Sequence, residues 1–288
     1  MHSPRDLRRR IRAITSTAQI TRAMQMVASS TMRRAQQATI TLRPFMRLLY
    51  RMQREATTRM GDFSHPLLEV RQVRRQAVIL IGANRGLCGS LNSNLFRLAA
   101  QLDTDTTSFI AVGRKAAQFI ARTGRELVAE FPFTDRPQYT DARAIAGLAR
   151  DLFLQKKVDQ VEVVTTRFIN TLSQQPVCIE FLPISEIKGL GAEAAKFEAE
   201  LATDAMESQF EPSPEDVLGY MIFHYLNVYI FQAMLNAKAS EQSARMVAMK
   251  NATDNAETLI RDLTLEYNKL RQGNITKELL EIAGGQAE

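Results

Sequence analysis

The residues best suited to chemistry form a glycine-rich turn, GANRGLCG, at residues 82–89. The turn follows an apolar run at 77–81 and precedes a helical pattern, so its backbone amides could hold a phosphate at a helix N-terminus. Its glycines are spaced G-x-x-x-G-x-x-G, however, and no Gly-Lys-Ser/Thr follows, so neither the Walker nor the dinucleotide-binding pattern is met. A tight strand-to-helix turn is favoured, and a nucleotide-dependent α/β enzyme is the alternative.

Two cysteines, Cys88 in this turn and Cys178, are the only ones in the chain. Cys88 could be an activated thiol at a helix start, but a structural or incidental cysteine is favoured. Two cysteines are too few for a disulfide framework and are consistent with a reducing compartment.

The other candidates for metal or catalytic chemistry are scattered. His2, His65 and His224 lack metal-ligand spacing, and no nucleophile elbow or Cys/His cluster occurs. Asp103 and Asp105, in the segment DTDTT, are more typical of a polar turn than of a metal site. The sequence therefore predicts no catalytic residue, no metal and no cofactor, and it gives little support to a stand-alone enzyme.

A long helical pattern occupies residues 1–60. Ser3 is the predicted N-cap, Pro4 takes the first helical position and Asp6 places an acid in the first turn. Pro44 is expected to kink or locally break the helix. Apolar or small residues recur every three or four positions, with Thr21 filling one gap, and form a seam along one side. The seam consists of Leu7, Ile11, Ile14, Ala18, Met24, Ala28, Met32, Ala35, Ala38, Leu42, Phe45, Leu49 and Met52.

A second long helix is predicted over residues 213–288. Ser213 and Pro214 repeat the start signal, and the Gly284-Gly285 pair is expected to end the helix. The Gly273-Asn274 pair is expected to weaken it locally. Its seam consists of Met221, Tyr225, Val228, Leu235, Met246, Met249, Ala256, Leu259, Leu263 and Leu270.

Both helices are too long to stand alone. About 55 and 70 residues would extend roughly 80 and 105 Å, which requires a partner helix. The sequence therefore predicts an antiparallel coiled coil of the two ends, with the tip of the longer C-terminal helix projecting beyond it. The alternative, in which each helix packs flat on a globular core, is disfavoured because roughly 130 intervening residues could not cover such helices.

Residues 75–205 alternate strand and helix patterns and predict a small Rossmann-like α/β domain with a mainly parallel sheet. The apolar run 77–81 is typical of a strand covered on both faces. Further strands are predicted at 108–112, 161–164 and 177–182, with a weaker one at 127–133, and helices at 91–102, 114–122 and 140–155. Residues 185–212 are predicted to connect this domain to the last helix. The predicted fold class is thus mixed, with an α/β domain inserted between the two helices of a coiled coil.

Charge is distributed unevenly along the chain. Residues 1–60 contain 13 arginines, no lysine and two acids, for a net charge of +11, whereas the whole chain carries +6. A segment this basic favours an acidic partner, whether nucleic acid, membrane surface or protein. No run of about 18 apolar residues occurs, so no direct insertion into a membrane is predicted. The seam begins at Leu7, which favours mature structure over a transit peptide.

Four segments resemble the γ subunits of F-type ATP synthases. They are ITRAMQMVA at 20–28 followed by Met32-Arg33, NRGLCG at 84–89 leading into Leu91-Asn92, ASEQSARMVAMKNATDN at 239–255, and YNKLRQGNITKEL at 267–279. Their order and spacing match from near the N-terminus almost to the C-terminus. The string 244–254 is hard to reach by chance.

The resemblance implies a central shaft that turns inside a ring of three α and three β subunits. The α/β domain would form part of a foot on the membrane c-ring, beside the ε subunit. Rotation would couple ion flow to ATP synthesis or hydrolysis at the β subunits, which hold the catalytic residues. It implies a peripheral location on the cytoplasmic face of a bacterial inner membrane. A basic coiled-coil protein that binds nucleic acid is the alternative, although the Arg-rich helix has few aromatic residues and no reading motif.

The resemblance also implies roles for particular residues. Contact with an acidic lever loop of β is expected at Arg22, Met24, Arg33 and Arg34. A polar catch against β is expected at Arg271, Gln272 and Thr276, and an apolar bearing at the tip residues Ile275, Leu279 and Ile282.

The chain departs from the family in a few positions. Thr31 stands where the family often has Lys, and Arg22 and Arg34 replace Lys, so the positive charge is lost only at Thr31. No inserted pair of cysteines occurs between the strands, so thiol control of the plastid type is not expected.

Overall fold

The computed structural model describes residues 3–60, 65–184 and 213–284 of the chain. The predicted connecting segment 185–212 lies outside these residues, as do His2 and Gly285. The chain divides into two units, one formed by Met1–Ser29 with Arg245–Glu288 and the other by Ser30–Ala244.

The first helix, α1, spans Pro4–Met60. The backbone N–H of Asp6 donates to Ser3 Oγ at 3.2 Å, and Ser3 Oγ donates to the Asp6 carboxylate at 2.8 Å, which confirms Ser3 as the N-cap. Pro44 lies inside the helix and does not end it, so the expected local break does not occur. A proline removes one backbone hydrogen bond, and the helix continues on both sides of this gap.

The last helix, α5, spans Pro214–Gly284. Ser213 and Asp216 repeat the same reciprocal capping, with an Asp216 N–H to Ser213 Oγ distance of 3.1 Å. Gly219 and Gly273 both lie within the helix. The helix reaches Gly284, the last of the described residues, so the predicted end at the Gly284-Gly285 pair falls at their limit.

Five strands form one sheet with the order β3-β2-β1-β4-β5. The strands β1 to β4 run parallel, and β5 pairs antiparallel with β4. The strands are β1 Gln76–Ile81, β2 Thr107–Val112, β3 Glu126–Phe131, β4 Gln160–Phe168 and β5 Gln174–Leu182. The intervening helices are α2 Leu91–Ala100, α3 Arg114–Arg122 and α4 Tyr139–Leu154, and a short 3-10 helix, Pro66–Leu68, precedes the sheet. This confirms the predicted mainly parallel α/β domain.

Both faces of the sheet are covered. Val78 and Leu80 of β1 pack on one face with α2 and α3, in a core that includes Leu95 and Ile120. Ile79 of β1 packs on the other face, in a core that contains side chains of α4 and α5. The continuous apolar run of β1 follows from this two-sided burial.

In the unit formed by the two chain ends, a stripe of side chains on each helix is buried. The buried positions are Leu7, Ala18, Thr21 and Ala28 on α1, and Arg245, Met249, Thr253, Ala256 and Leu263 on α5. Half-buried side chains at Ile11, Ile14 and Met24 complete the stripe of α1. Burial of the predicted seam is thus confirmed at these positions, apart from Arg245 and Thr253, which the predicted seam does not include. The seam is wrong at Leu259, which is 46% exposed, because Ile260 takes the half-buried position of that turn.

In the unit formed by Ser30–Ala244, the seam of α1 is buried only in part. Met32 and Ala35 of α1 are buried, and Leu42 packs against the core on the α4 side of the sheet. Phe45 is 41% exposed, so the predicted seam does not extend to it. The side chains of Leu49 and Met52 lie outside the described residues.

Candidate functional site

Three of the four residues expected to contact a β lever have exposed side chains. Arg22, Arg33 and Arg34 are exposed on α1, and Met24 is half-buried. Arg34 Nη2 donates to Thr31 Oγ1 at 3.3 Å, so the hydroxyl of the buried Thr31 helps to hold this arginine. Exposed guanidinium groups form ion pairs worth about 0–1 kcal/mol, which can be made and broken readily.

A group of exposed apolar residues accompanies Arg22 on α1. Ile20, Met26 and Val27 are 60–66% exposed. They lie outside the three-and-four spacing of the seam, which is the signal that could have identified them from the sequence. Apolar side chains next to a basic one suit contact with a protein partner.

The expected catch and tip residues are all exposed where the structure describes them. Arg271, Gln272 and Thr276 lie on the surface of α5, and Thr276 Oγ1 donates to the Gln272 carbonyl at 2.9 Å. Ile275 and Leu279 are 42% and 61% exposed. Leu280, which sequence analysis did not single out, is 67% exposed. The side chain of Ile282 lies outside the described residues.

The polar atoms of the glycine-rich turn at 82–89 bond largely within the protein. The N–H of Ala83 donates to Asn92 Oδ1 at 3.3 Å, and the N–H of Arg114 donates to Asn84 Oδ1 at 3.0 Å. The Asn84 amide also donates to the carbonyl of Phe133. Asn84 therefore ties the turn after β1 to the start of α3 and to the segment after β3. This bonding supports the structural interpretation of the turn.

The crevice where a doubly wound sheet usually binds ligands is occupied by α5. In the observed strand order, the connections change direction between β1 and β4, and ligands bind at the carboxyl ends of such strands. Ser240 Oγ of α5 donates to the Thr166 carbonyl of β4 at 3.2 Å. Ala244 packs against a small core of Ala83, Cys88 and Leu91, which follows β1.

A lysine of α5 is fully buried beside this crevice. Lys238 Nζ lies 2.8 Å from Glu241 Oε2 and 3.6 Å from Asp135 Oδ1. It also lies 4.1 Å from the ring centre of Phe133, a cation–π geometry. Sequence analysis did not identify Lys238, because its partners at 133–135 are about a hundred residues away in the chain.

The two cysteines differ in environment. Cys88 is buried in the turn, where Asn92 Nδ2 donates to its sulfur at 3.3 Å. Cys178 is an exposed residue of β5, but desolvation of its sulfur, the hydrogen bond that its thiol donates to Glu162 and the negative charge of Glu162 raise its pKa to about 12. Cys178 is therefore protonated at physiological pH.

Two further properties concern metals and membranes. Within residues 3–60, 65–184 and 213–284, no three His, Cys, Asp or Glu side chains come together in a way that could hold a metal ion. In the same part of the chain, none of the helices has the length and apolar character needed to cross a bilayer.

The fold defines a class of protein in which an α/β domain is inserted between two very long helices. The family model of ATP synthase matches residues 3–287. The ATP synthase gamma chain of Opitutus terrae is 43% identical, with 99% of this chain and 98% of that protein covered. The gamma chain of Roseiflexus castenholzii is 44% identical, with 100% and 98% covered.

Solved structures share the fold. A chain of the central stalk and c-ring structure of the Tetrahymena thermophila mitochondrial ATP synthase matches with a TM-score of 0.60 at 25% identity, covering 81% of this chain and 99% of that one. A chain of the Euglena gracilis mitochondrial ATP synthase matches with a TM-score of 0.68 at 20% identity, covering 98% and 93%. The chain belongs to the ATP synthase gamma-chain family. The resemblance found in the sequence is thus confirmed, and none of these matches supports the nucleic-acid-binding alternative.

Proposed function

We propose that this chain is the central rotor shaft of an ATP synthase, which couples ion flow through a membrane ring to ATP synthesis or hydrolysis by rotation. The observation that carries the proposal is the hydrogen-bonded pair Thr21–Thr253, which joins the two chain ends inside one unit at 2.7 Å. A shaft that carries torque needs its two helices to be fixed to each other, and this contact lies in their buried stripe.

The buried positions on the two helices mirror each other about this pair. Three residues before Thr21 is Ala18 and three after Thr253 is Ala256, and both are buried. Ten residues away, Ile11 is half-buried and Leu263 is buried. Matching buried positions are thus reached by counting backward along α1 and forward along α5 by equal steps. This is the pattern of two antiparallel helices. This supports an antiparallel coiled coil built from the helices of residues 1–60 and 213–288, with residues 75–205 as the inserted domain.

Contact with the β subunits is assigned to the exposed arginines of α1. Arg22, Arg33 and Arg34, with Met24, meet an acidic lever loop. Exposed pairs of about 0–1 kcal/mol suit a shaft that must leave each position, whereas a buried pair would cost roughly 3–5 kcal/mol to break. Many weak contacts let the shaft turn without stalling.

The end of α5 is assigned to the other contact with the ring. Arg271, Gln272 and Thr276 form a polar catch against β, and Ile275, Leu279 and Ile282 turn in an apolar bearing. The exposure of the first five of these residues supports these roles, because each side chain is accessible to a partner.

The α/β domain is assigned to the foot, beside ε and on the c-ring, with three α and three β subunits around the helices. The complex places the chain peripherally on the cytoplasmic face of a bacterial inner membrane. Phosphoanhydride chemistry belongs to β, and this chain has no active site of its own. The seating of α5 in the ligand crevice of the sheet supports that assignment.

Reconstitution tests the shaft function. The full chain alone is expected to show no ATPase activity, and addition to its α and β subunits is expected to raise ordered, uniform turnover. The matched control is the same α/β mixture without the chain. An α/β mixture that cycles equally well without the chain would contradict the proposal.

A second experiment tests the catch. Arg271→Ala combined with Gln272→Ala should lower coupled turnover while the complex still assembles. Lys250→Ala with Asn251→Ala, at exposed positions of the same helix, provides a matched control. Unchanged turnover in the first variant would remove the catch from the proposal.

A further inference from the structure

We infer that residues 238–244 of α5, named here the joint, hold this part of α5 in one orientation on the α/β domain of the same unit and pass torque to that domain through Lys238. The inference rests on the proposed shaft function. Lys238 is a positioning residue in this role, since it acts on the orientation of α5.

The joint is mainly polar, whereas the rest of the buried side of α5 in this unit is mainly apolar. From Met221 to Ala237, α5 contributes largely apolar side chains to the core on the α4 side. From Lys238 to Ser243 the buried side chains are polar except for that of Ala239, and the polar ones are Lys238, Ser240, Glu241, Gln242 and Ser243. Apolar packing has no directional preference and tolerates a turn or a slide of one helix on its support. Hydrogen bonds are directional and do not tolerate it.

Two serines bond to the backbone of the sheet domain. Ser240 Oγ donates to the Thr166 carbonyl at 3.2 Å, and Ser243 Oγ donates to the Thr171 carbonyl at 2.8 Å. Thr171 lies in the connection between β4 and β5, so the joint bonds to a strand and to the connection that follows it. Both contacts require α5 to present one particular side to β4.

Lys238 fixes the same orientation from another direction. Its side chain is 1% exposed and that of Glu241 is 3% exposed, whereas Asp135 is 72% exposed. Because water weakens an exposed ion pair, Glu241 is the strongest partner of the ammonium group, but it lies on α5 and turns with Lys238. The contacts that link Lys238 to the α/β domain are those with Asp135 and Phe133. Phe133, itself 1% exposed, supplies the ring under the ammonium group and closes the site.

The ring of Phe133 connects Lys238 to the centre of the sheet. The backbone carbonyl of Phe133 accepts a hydrogen bond from the side-chain amide of Asn84, and Asn84 Oδ1 accepts one from the N–H of Arg114. Asn84 follows β1, Arg114 begins α3 and Phe133 follows β3. A force on Lys238 is therefore passed to three segments of the domain.

A rotated α5 would bury Lys238 in the wrong surroundings. Successive residues of an α-helix are about 100° apart around its axis. A shift of α5 by one residue against the sheet would therefore move the ammonium group away from Asp135 and Phe133. The ion pair with Glu241 would turn with the helix, but it would lose its contacts with the domain, and a buried charge with fewer partners is disfavoured. The joint thus favours one rotation of α5 about its own axis, which apolar packing alone does not.

A double-mutant cycle in the full chain measures the pairing. Lys238→Met should lower the folding equilibrium constant on the order of 10²–10³-fold, because the buried carboxylate of Glu241 loses the ammonium group that lies 2.8 Å from it. Lys238→Met with Glu241→Leu should return the constant to within about tenfold of the parent, since an apolar pair of similar volume fills the site. Lys157→Met, at an exposed lysine that follows α4, is the control and should change little. Equal loss in the single and double variants would overturn the pairing.

Rotation experiments separate positioning from stability. A probe on a cysteine introduced at the exposed Asp105 reports the angle of the α/β domain in the reconstituted complex during ATP hydrolysis. The stable double variant should hydrolyse ATP as fast as the parent. When rotation of the complex is stalled, the probe in the double variant should show wider angular fluctuations than the probe in the parent. Wider fluctuations mean a loss of torsional stiffness. A merely structural role predicts recovery of both stability and stiffness.

Two results overturn the inference in different ways. If the parent complex rotates and the double variant shows the same torsional stiffness, the proposed role of the joint is wrong and the shaft function stands. A parent complex in which the probe does not rotate would overturn the shaft function and the torque role of Lys238 with it.

Discussion

The hydroxyl oxygens of Thr21 and Thr253 lie 2.7 Å apart in the buried stripe of the two chain ends. Thr21 Oγ1 also lies 3.0 Å from the Ala18 carbonyl, and Thr253 Oγ1 lies 2.9 Å from the Met249 carbonyl. Two hydroxyl protons serve these three contacts, so one threonine donates to its own helix and the other donates across. The pair is a polar layer between apolar ones, a feature that sets the register of paired helices.

We predict that the two threonines are coupled energetically. Thr21→Val or Thr253→Val alone should destabilise the chain by about 1 kcal/mol, the worth of one hydrogen bond. The double variant should cost no more than either single one, because both partners are then apolar and of similar shape. Denaturant unfolding of the full chain measures all three, with the exposed Thr17→Val as control. Additive losses would show that the hydroxyls act separately.

We also predict the register of the helix pair. Ala18→Cys with Ala256→Cys should form a disulfide under mild oxidation, since the mirrored positions bring the two backbones within reach of such a bond. Ala18→Cys with Leu263→Cys is the control, because seven residues move the partner by roughly 10 Å along the helix. Equal yields from the two pairs would contradict an antiparallel pair in this register.

Much of this fold could be predicted because its signals are local. Ser3 and Ser213 precede a proline and an acid, and both cap their helices as expected. The strand β1 is apolar at every position from Ala77 to Ile81 because both of its faces are covered. The weakest prediction, a strand at 127–133, is also confirmed as Glu126–Phe131.

The parts that escaped prediction depend on distant residues. Lys238 is buried against Phe133, and Ser240 bonds to Thr166, and no local pattern reveals either contact. The segment 239–255 was noted for its family resemblance, but its polar residues gave no indication of burial. The error at Leu259 has a simpler cause, since a step of three or of four from Ala256 fits a helical seam equally well.

Gly113 provides a test of the sheet domain. Its φ of +97° is unfavourable for other residues, and a Cβ atom would meet the carbonyl oxygen of Gly82. Gly113→Ala should therefore destabilise the chain by at least about 2 kcal/mol. Gly147→Ala is the matched control, since a Cβ there meets no atom within 4 Å and helix propensity predicts a gain of about 0.5–1 kcal/mol. Thermal unfolding of both variants provides the measurement. Equal changes in stability for Gly113→Ala and Gly147→Ala would contradict the geometry.

Asp159 should make stability depend on acid pH. Its carboxylate accepts hydrogen bonds from the backbone N–H groups of Arg74 and Arg75 at 2.9 and 3.1 Å, which lower its pKa below the ordinary value of 3.8. A lowered pKa stabilises the fold above the unfolded value, and this contribution is lost as pH falls through the folded value.

Asp159→Asn keeps one acceptor oxygen, which is enough for the two N–H groups that bond to a single carboxylate oxygen, and replaces the other oxygen with an NH₂ group, so the charge is lost. At pH 7 it should lower stability by less than about 1 kcal/mol, because the site is partly exposed to water. The difference from the parent should stay constant above pH 5 and close as the pH falls below 3.8. Denaturant midpoints over this range provide the measurement. A difference that persists at pH 2 would assign the loss to shape and not to charge.

Cys178 should be almost inert toward alkylating reagents. Desolvation, and after it the bonded carboxylate of Glu162, raise its pKa from 9.0 to about 12, so at pH 8 its thiolate is about 10³-fold scarcer than that of an ordinary cysteine. A cysteine introduced at Asp105, which is exposed, is the reference thiol. Glu162→Gln should speed the reaction of Cys178 by removing the acceptor charge, yet leave it slower than the reference because desolvation remains. Rates of iodoacetamide modification between pH 7 and 10 distinguish these cases, and equal rates at the two positions would show that Glu162 and burial do not hold the proton on the sulfur.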